Sequence, residues 1–353
     1  MSERIPVLIV AGFLGSGKTT LLNRLLHDSG STRIGVVVND FGAVNIDAML
    51  VAGQVDAMVS VGNGCVCCAV DVGELDTMFE RLSEPQAGID VIVVEASGLA
   101  EPRNLIRMVI GSENPRIHYG GLLEVVDAAE FPAARQRHPE LATHLRLADL
   151  VVLNKADRVP PAEVERLREE IAALVAPSPV HVTSHGRVDP ALLFDAPARE
   201  RTPVAGQLSF DDLWRELEAD RQASGCDDGA HDDHRHLHDD YTSVSFTSEH
   251  ALDPRGLVGF LEDPPHGLFR AKGVTEFAVD GHQRTFGLHV VGRHIVFEPR
   301  PWRRGEDRVS SLVLIGAGLR ADEALGRLEQ TIHPGPDPLD DQALLGVWRY
   351  TPH

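Results

Sequence analysis

At 353 residues, with 43% hydrophobic and 24% charged residues, the chain is longer than one hydrophobic core usually organises, and two globular units are expected. Its formal net charge of -20, from 33 basic and 53 acidic residues, repels a polyanion, so nucleic acid is not an expected partner. No apolar run approaches the roughly 20 residues of a membrane span. The first six residues run straight into a short apolar segment ending in glycines, without the long apolar region of a secretory leader, so the expected location is the cytoplasm, away from membranes.

Short β-branched runs predict strands over 7–11, 34–39, 90–95, 122–127, 149–154 and 180–184. Between them, helical spacing of Leu, Ile and Val marks 19–27 and 162–175, and Pro160-Pro161 presets the start of the second. Strands alternating with helices imply a doubly wound α/β domain around a mostly parallel sheet, here over 1–195. A segment rich in Pro, Gly and charge follows over 196–240, with one helix predicted over 210–220 and a stretch rich in His and Asp over 226–240. From 241 to 353 the texture changes to strands over 241–247, 275–280, 284–291, 294–297 and 310–317, with helices near 254–261 and 321–332. That pattern predicts a smaller α+β domain.

Gly12-Phe13-Leu14-Gly15-Ser16-Gly17-Lys18-Thr19 matches G-x-x-x-x-G-K-[ST], directly after an apolar strand and before a helix opening with Thr20. Glycines let the backbone N–H groups of Gly12, Gly15, Ser16 and Gly17 turn toward phosphates, and the helix dipole adds to the attraction. In this arrangement Lys18 reaches the β- and γ-phosphates, Thr19 ligates magnesium, and Thr20 continues the phosphate contact. Asn154-Lys155-Ala156-Asp157 at the end of the fifth predicted strand supplies the base-reading element. Asp157 accepts from the two guanine donors that adenine lacks, and Asn154 braces the loop, so GTP and GDP are the expected nucleotides. Thr183-Ser184-His185-Gly186 reads equally well as a contact to the guanine carbonyl or as a plain turn.

Glu95-Ala96-Ser97-Gly98 ends the third predicted strand, placing a carboxylate near magnesium and a Gly98 N–H where it can sense a γ-phosphate. Asn39-Asp40-Phe41-Gly42 is the matching first switch, with Asp40 a candidate for positioning magnesium or water. No residue stands out as the hydrolytic base. Between the two switches lies Gly62-Asn63-Gly64-Cys65-Val66-Cys67-Cys68, which concentrates three of the four cysteines. Three thiols on a glycine-rich turn favour ligation over the small-hydrophobe role of a lone Cys, and zinc or cobalt(II) suits a sulfur-rich tetrahedral site. His231, His234, His236 and His238, interleaved with Asp, fit weak metal collection and a solvated linker equally, while Cys226 reads as an incidental thiol.

Together, residues 12–20, 39–42, 63–68, 95–102 and 154–157 resemble the CobW family of metal-associated GTPases, and Leu268-Phe269-Arg270-Ala271-Lys272-Gly273 is similar to a motif of that family's C-terminal domain. The resemblance implies a GTP-hydrolysing metallochaperone or metal-insertion factor, with Cys65, Cys67 and Cys68 as its metal site and zinc or cobalt as cargo. It implies delivery to a metal-requiring client protein or a cofactor-biosynthesis enzyme, and it leaves the oligomeric state open, a dimer included. One departure stands out: the family's first switch commonly reads N-E-F-G-E, and Asp40 and Ala43 replace its two acids here. Two competing functions remain at this stage: a regulatory GTPase with a structural or redox cysteine site, and a nucleotide-gated client-binding module.

Overall fold

The computed structural model describes residues 4–38, 57–60, 72–96, 101–195, 241–281, 284–302, 308–335 and 337–352. Strands β1 (Ile5–Gly12), β2 (Ile34–Val38), β3 (Ala57–Ser60), β4 (Val91–Glu95), β5 (Ile117–Asp127), β6 (Leu150–Asn154) and β7 (Val180–Val182) form a parallel sheet in the order β3-β2-β4-β1-β5-β6-β7. Helices α1 (Lys18–Asp28), α2 (Val72–Leu82), α3 (Pro102–Ile110), α4 (Phe131–Arg137), α5 (Leu141–Leu145), α6 (Pro161–Val175) and α7 (Pro190–Leu193) connect the strands. Both faces of the sheet are covered, as a parallel sheet requires. In β1, Leu8 and Val10 pack with Leu21, Leu22 and Leu25 of α1, while Val7, Ile9 and Ala11 pack on the opposite face with Phe79 of α2 and Leu105 of α3. The period-2 alternation of a strand thus builds two cores from one apolar run.

The expected parallel α/β architecture is present, with two differences. Strand β3 is a four-residue edge strand paired with β2, too short to give a periodic signal. Strand β5 begins at Ile117, five residues before its predicted start, because Ile117, His118 and Tyr119 continue the ladder beside Ile5, Pro6 and Val7. A register shift between Val7 and Leu8 accommodates Gly120, which had masked the strand in the sequence.

The second sheet is antiparallel, in the order β11-β10-β9-β12-β8, built from β8 (Thr242–Ser248), β9 (Leu268–Thr275), β10 (Arg284–Val291), β11 (His294–Pro301) and β12 (Ser310–Gly316). Helices α8 (Pro254–Glu262), α9 (Ala321–Glu329) and α10 (Leu345–Arg349) share a core with it, including Phe246, Leu257, Phe286, Phe297, Leu328 and Val347. The strand predicted over 275–280 is corrected: pairing along β9 stops at Thr275, and beyond it only isolated bridges join Phe277 to Leu252 and Val279 to Leu339. Phe277 and Val279 are both buried, so their alternation marked burial rather than a ladder. The helix predicted over 210–220 lies outside the described residues.

The two sheets meet in one packed seam. Phe269 of β9 and Val291 of β10 belong to the same buried cluster as Leu123 and Val125 of β5. Asp195 accepts from Arg270 at 2.9 Å and Lys272 at 2.6 Å, two side chains at i and i+2 on one face of β9. Among the described residues, no helix is long and apolar enough to cross a membrane.

Candidate nucleotide site

Strand β1 sits at the centre of its sheet between β4 and β5, and the chain leaving its carboxyl end turns into α1 through Phe13-Leu14-Gly15-Ser16-Gly17. This is the switch point where a parallel sheet opens a crevice for ligand. Gly17 caps α1 with φ +102°, and among the described residues no side chain caps the helix, whose N-terminus is the end that attracts an anion. A Cβ at Gly17 would lie 2.4 Å from Asn154 Nδ2, so only glycine lets β6 approach this closely.

Lys18 is buried and its Nζ donates to Gly12 O at 3.0 Å and Phe13 O at 3.3 Å, folding the ammonium back over the loop. Thr19 Oγ1 donates to Glu95 Oε1 at 2.9 Å. Sequence positions 76 apart are thereby joined, and the hydroxyl and the buried carboxylate at the end of β4 form a pair of hard oxygen donors. That donor set fits magnesium, which takes oxygen ligands and pairs naturally with phosphate.

Asn154 makes the other junction. Its Nδ2 donates to Ser16 O at 3.0 Å, and its Oδ1 accepts from Gly186 N at 2.9 Å, so one buried amide ties the P-loop to the loop after β7. Lys155, with φ +59°, donates from Nζ to Gly15 O at 2.6 Å and to Asp127 Oδ2 at 2.7 Å. Ala156 N–H donates to Thr183 O at 3.1 Å and Asp157 N–H to Ser184 Oγ at 3.1 Å. These bonds fix the backbone of the loop while the Asp157 side chain remains exposed, turned to solvent where a base can meet it. The turn at 183–186 is therefore bonded to the loop of Asn154 to Asp157.

The structure brings together Gly12, Gly15, Ser16, Gly17, Lys18, Thr19, Thr20, Glu95, Asn154, Lys155 and Asp157 at the carboxyl ends of β1, β4 and β6. Asp40, Cys65, Cys67, Cys68, Gly98 and the histidines at 231–238 lie outside the described residues. Two carboxylates at this site escaped the sequence reading. Asp127 ends β5 as Glu95 ends β4, and holds Lys155 and Arg158, the latter at 3.4 Å. Glu124, three residues earlier on β5, is 3% exposed, and burial pushes its carboxyl up to about 8 against a smaller opposing pull from Lys18. The signal for both was a glutamate inside, and an aspartate closing, the apolar run Leu122-Leu123-Glu124-Val125-Val126-Asp127.

The model of the CobW/HypB/UreG nucleotide-binding domain matches residues 6–182, and the model of the cobalamin synthesis protein CobW C-terminal domain matches 241–332. A zinc chaperone CobW of a Sinorhizobium species is 28% identical over 346 residues, covering 89% of this chain and 93% of the relative. The zinc chaperone YjiA of Escherichia coli is 31% identical over 196 residues, covering 54% of this chain and 61% of that protein. The zinc-regulated GTPase metalloprotein activator 1 of Saccharomyces cerevisiae is 27% identical over 235 residues, 58% of this chain and 54% of its own length.

Proposed function

We propose, for a chain that belongs to the CobW/HypB/UreG family of nucleotide-binding proteins, the function of a GTP-hydrolysing zinc chaperone whose nucleotide state sets its hold on the metal. The observation that carries the nucleotide half is the Asn154 amide, bonded both to Ser16 O and to Gly186 N–H, which welds the phosphate loop to the base-reading loop that presents Asp157. In this reading Lys18 binds the β- and γ-phosphates, the N–H groups at the start of α1 take the phosphate oxygens, and Asp157 accepts from guanine. Thr19 and Glu95 would hold magnesium, which when bound neutralises phosphate charge. Asp40 positions magnesium or water, and the Gly98 N–H senses the γ-phosphate. Hydrolysis to GDP and phosphate is slow and responds to the metal cargo.

Cys65, Cys67 and Cys68 hold the cargo, a divalent metal, zinc first and cobalt(II) second. The relatives named zinc chaperone and zinc-regulated GTPase activator support that order. The receiving partner is a metal-requiring client protein or a cofactor-biosynthesis enzyme. We divide the chain into a GTPase unit over 1–195, a connecting segment over 196–240 and a CobW-type unit over 241–353.

The experiment is an anaerobic zinc titration of the chain loaded with GDP or with a nonhydrolysable GTP analogue. Tighter zinc binding in the GTP-analogue state, lost when the three cysteines are changed to Ser, is expected. Equal zinc affinity in both states removes the chaperone reading.

A further inference from the structure

Glu124 occupies a position where the sheet offers nothing to a charge. Across the ladder it faces Ala11 of β1 and Val151 of β6, and its neighbours two residues away on β5, Leu122 and Val126, are both in apolar clusters. It lines a cavity of about 30 Å³ beneath the P-loop, shared with Phe13, Ser16, Asp127 and Phe131. Two buried polar atoms of that cavity, Glu124 Oε2 and Ser16 Oγ, have no hydrogen-bond partner among the described residues. A space of that size takes one or two waters, and these two atoms supply the polar contacts a buried water needs. Among the described residues the charged groups around it are few. Lys18 acts on it from α1, and Asp127 and Glu130 line the cavity from the end of β5 and the entry to α4, Asp127 being tied to Lys155 and Arg158. The walls from α4 and α5 are apolar, through Phe131, Ala134, Leu141 and Leu145.

We propose that Glu124 is a proton-carrying positioning residue beneath the P-loop, which must hold its proton for the loop to hold nucleotide phosphates, so that nucleotide binding is coupled to proton uptake. The inference rests on the reading of this loop as a GTP site. Among the described residues the cation that acts on an ionised carboxylate here is Lys18, the group that the β- and γ-phosphates need. Phosphates arriving at the loop engage that ammonium and add negative charge above the cavity. Both changes favour the neutral acid, so nucleotide binds the protonated form more tightly and, by linkage, raises the proton affinity of Glu124.

The sign follows. In the free protein Glu124 releases its proton around pH 8, so below that pH it is neutral with and without nucleotide, and affinity does not depend on it. Above that pH only the bound form keeps the proton, and affinity falls by up to about tenfold per pH unit.

The test is calorimetric titration of the full chain with GDP in buffers of different ionisation heat, which counts protons taken up per nucleotide bound. The wild type is expected to take up almost none through Glu124 at about pH 7 and up to about half a proton more at about pH 8. That rise is expected to vanish in Glu124→Gln, which keeps the shape and the neutral charge. A flat proton count in the wild type between those two pH values overturns the proposal without any variant. The same rise in Glu124→Gln also overturns it, since the proton then belongs elsewhere. If neither GDP nor GTP binds the wild type at any pH, the GTP reading itself fails and this inference falls with it.

Discussion

The side-chain amide of Asn154, at the end of β6, donates to the main-chain carbonyl of Ser16 in the P-loop at 3.0 Å, across 138 residues of sequence. Its other atom accepts from Gly186, so a single side chain sets the spacing between the phosphate loop and the base-reading loop. Asn154→Ala leaves Gly186 N–H and Ser16 O without this partner in a buried place. Loss of such a bond costs about 1 to 3 kcal/mol, and the expected result is GDP affinity weakened roughly tenfold to a hundredfold, read by calorimetry. Gly17→Ala probes the same contact from the other side, since the added Cβ would stand 2.4 Å from Asn154 Nδ2 at a φ of +102°. Unchanged affinity in both variants would show that the brace does not support binding.

Asp157 tests the choice of base. Its backbone is pinned through Ser184 Oγ while its carboxylate is exposed, so replacing the side chain leaves the loop's own bonds in place. Asp157→Asn swaps one acceptor for a donor, which suits a base carrying a carbonyl where guanine carries its amino group. The variant is expected to lose at least about tenfold in GTP affinity and to gain affinity for xanthosine triphosphate. A variant that still prefers GTP would move base recognition to another residue.

The pair Thr19 and Glu95 tests the magnesium assignment. Glu95→Gln keeps an acceptor for the Thr19 hydroxyl, so the hydrogen bond survives while the charge is lost. Magnesium-dependent tightening of GTP binding is expected to disappear in this variant, and GTP turnover to fall by about a hundredfold or more. Chelating magnesium in the wild type is expected to give the same turnover, measured by phosphate release. A variant that keeps full magnesium dependence assigns the ion to other ligands.

The segments proposed for phosphate and guanine were legible because such chemistry needs particular residues at particular spacings, and the fold places Gly12 to Thr19 between β1 and α1 and Asn154 to Asp157 at the end of β6, as expected. The parallel sheet was legible from strands buried on both faces, whose runs are apolar throughout. Glu124 and Asp127 were passed over because they lie within or at the end of such a run, where a carboxylate has no motif and its role depends on what lies across the sheet. The seam between the sheets was equally silent: Arg270 and Lys272 read as part of a motif, and only the fold brings Asp195 to them. Thr275 to Asp280 misled for the opposite reason, since alternating burial of Phe277 and Val279 mimics a strand where the backbone bonds only in isolated bridges to Leu252 and Leu339 and forms no continuous ladder.

His118, near the start of β5, stands with its ring 6.1 Å from that of His289 on β10, on the seam. Burial, with the nearby His289, Arg4 and Arg270, pulls its pKa from 6.5 down to about 3. The folded form therefore holds His118 neutral where the unfolded chain would protonate it. This lowered value contributes stability that is full above about pH 6.5 and is lost as pH falls toward 3. Denaturant unfolding across that range is expected to show a loss of up to about 1.4 kcal/mol per pH unit from this group. His118→Gln should flatten that part of the curve, and an unaltered slope would place the acid sensitivity elsewhere.

Gly292, in the tight turn between β10 and β11, meets the base of β6 so closely that a Cβ there would fall 1.8 Å from Asp149 Oδ1. Asp149 is buried and already committed: it accepts from Tyr119 Oη at 2.5 Å and from Leu122 N–H at 2.9 Å, both on β5. The turn cannot yield easily either, because Gly292 has φ +54° and its N–H donates to Phe269 O at 2.8 Å. Gly292→Ala must therefore push the C-terminal sheet off the seam or displace the Asp149 carboxylate from its donors. Strain of this kind costs about 1 to 3 kcal/mol, so the melting temperature should drop by a few degrees. Strand β5 carries Tyr119 at the seam and Glu124 and Asp127 at the nucleotide site, so the displacement is expected to reach GDP binding as well. Melting curves taken with and without saturating GDP separate the two effects. A smaller GDP-induced rise in the variant than in the wild type means the seam supports the site, and an equal rise means the two sheets are joined without being coupled.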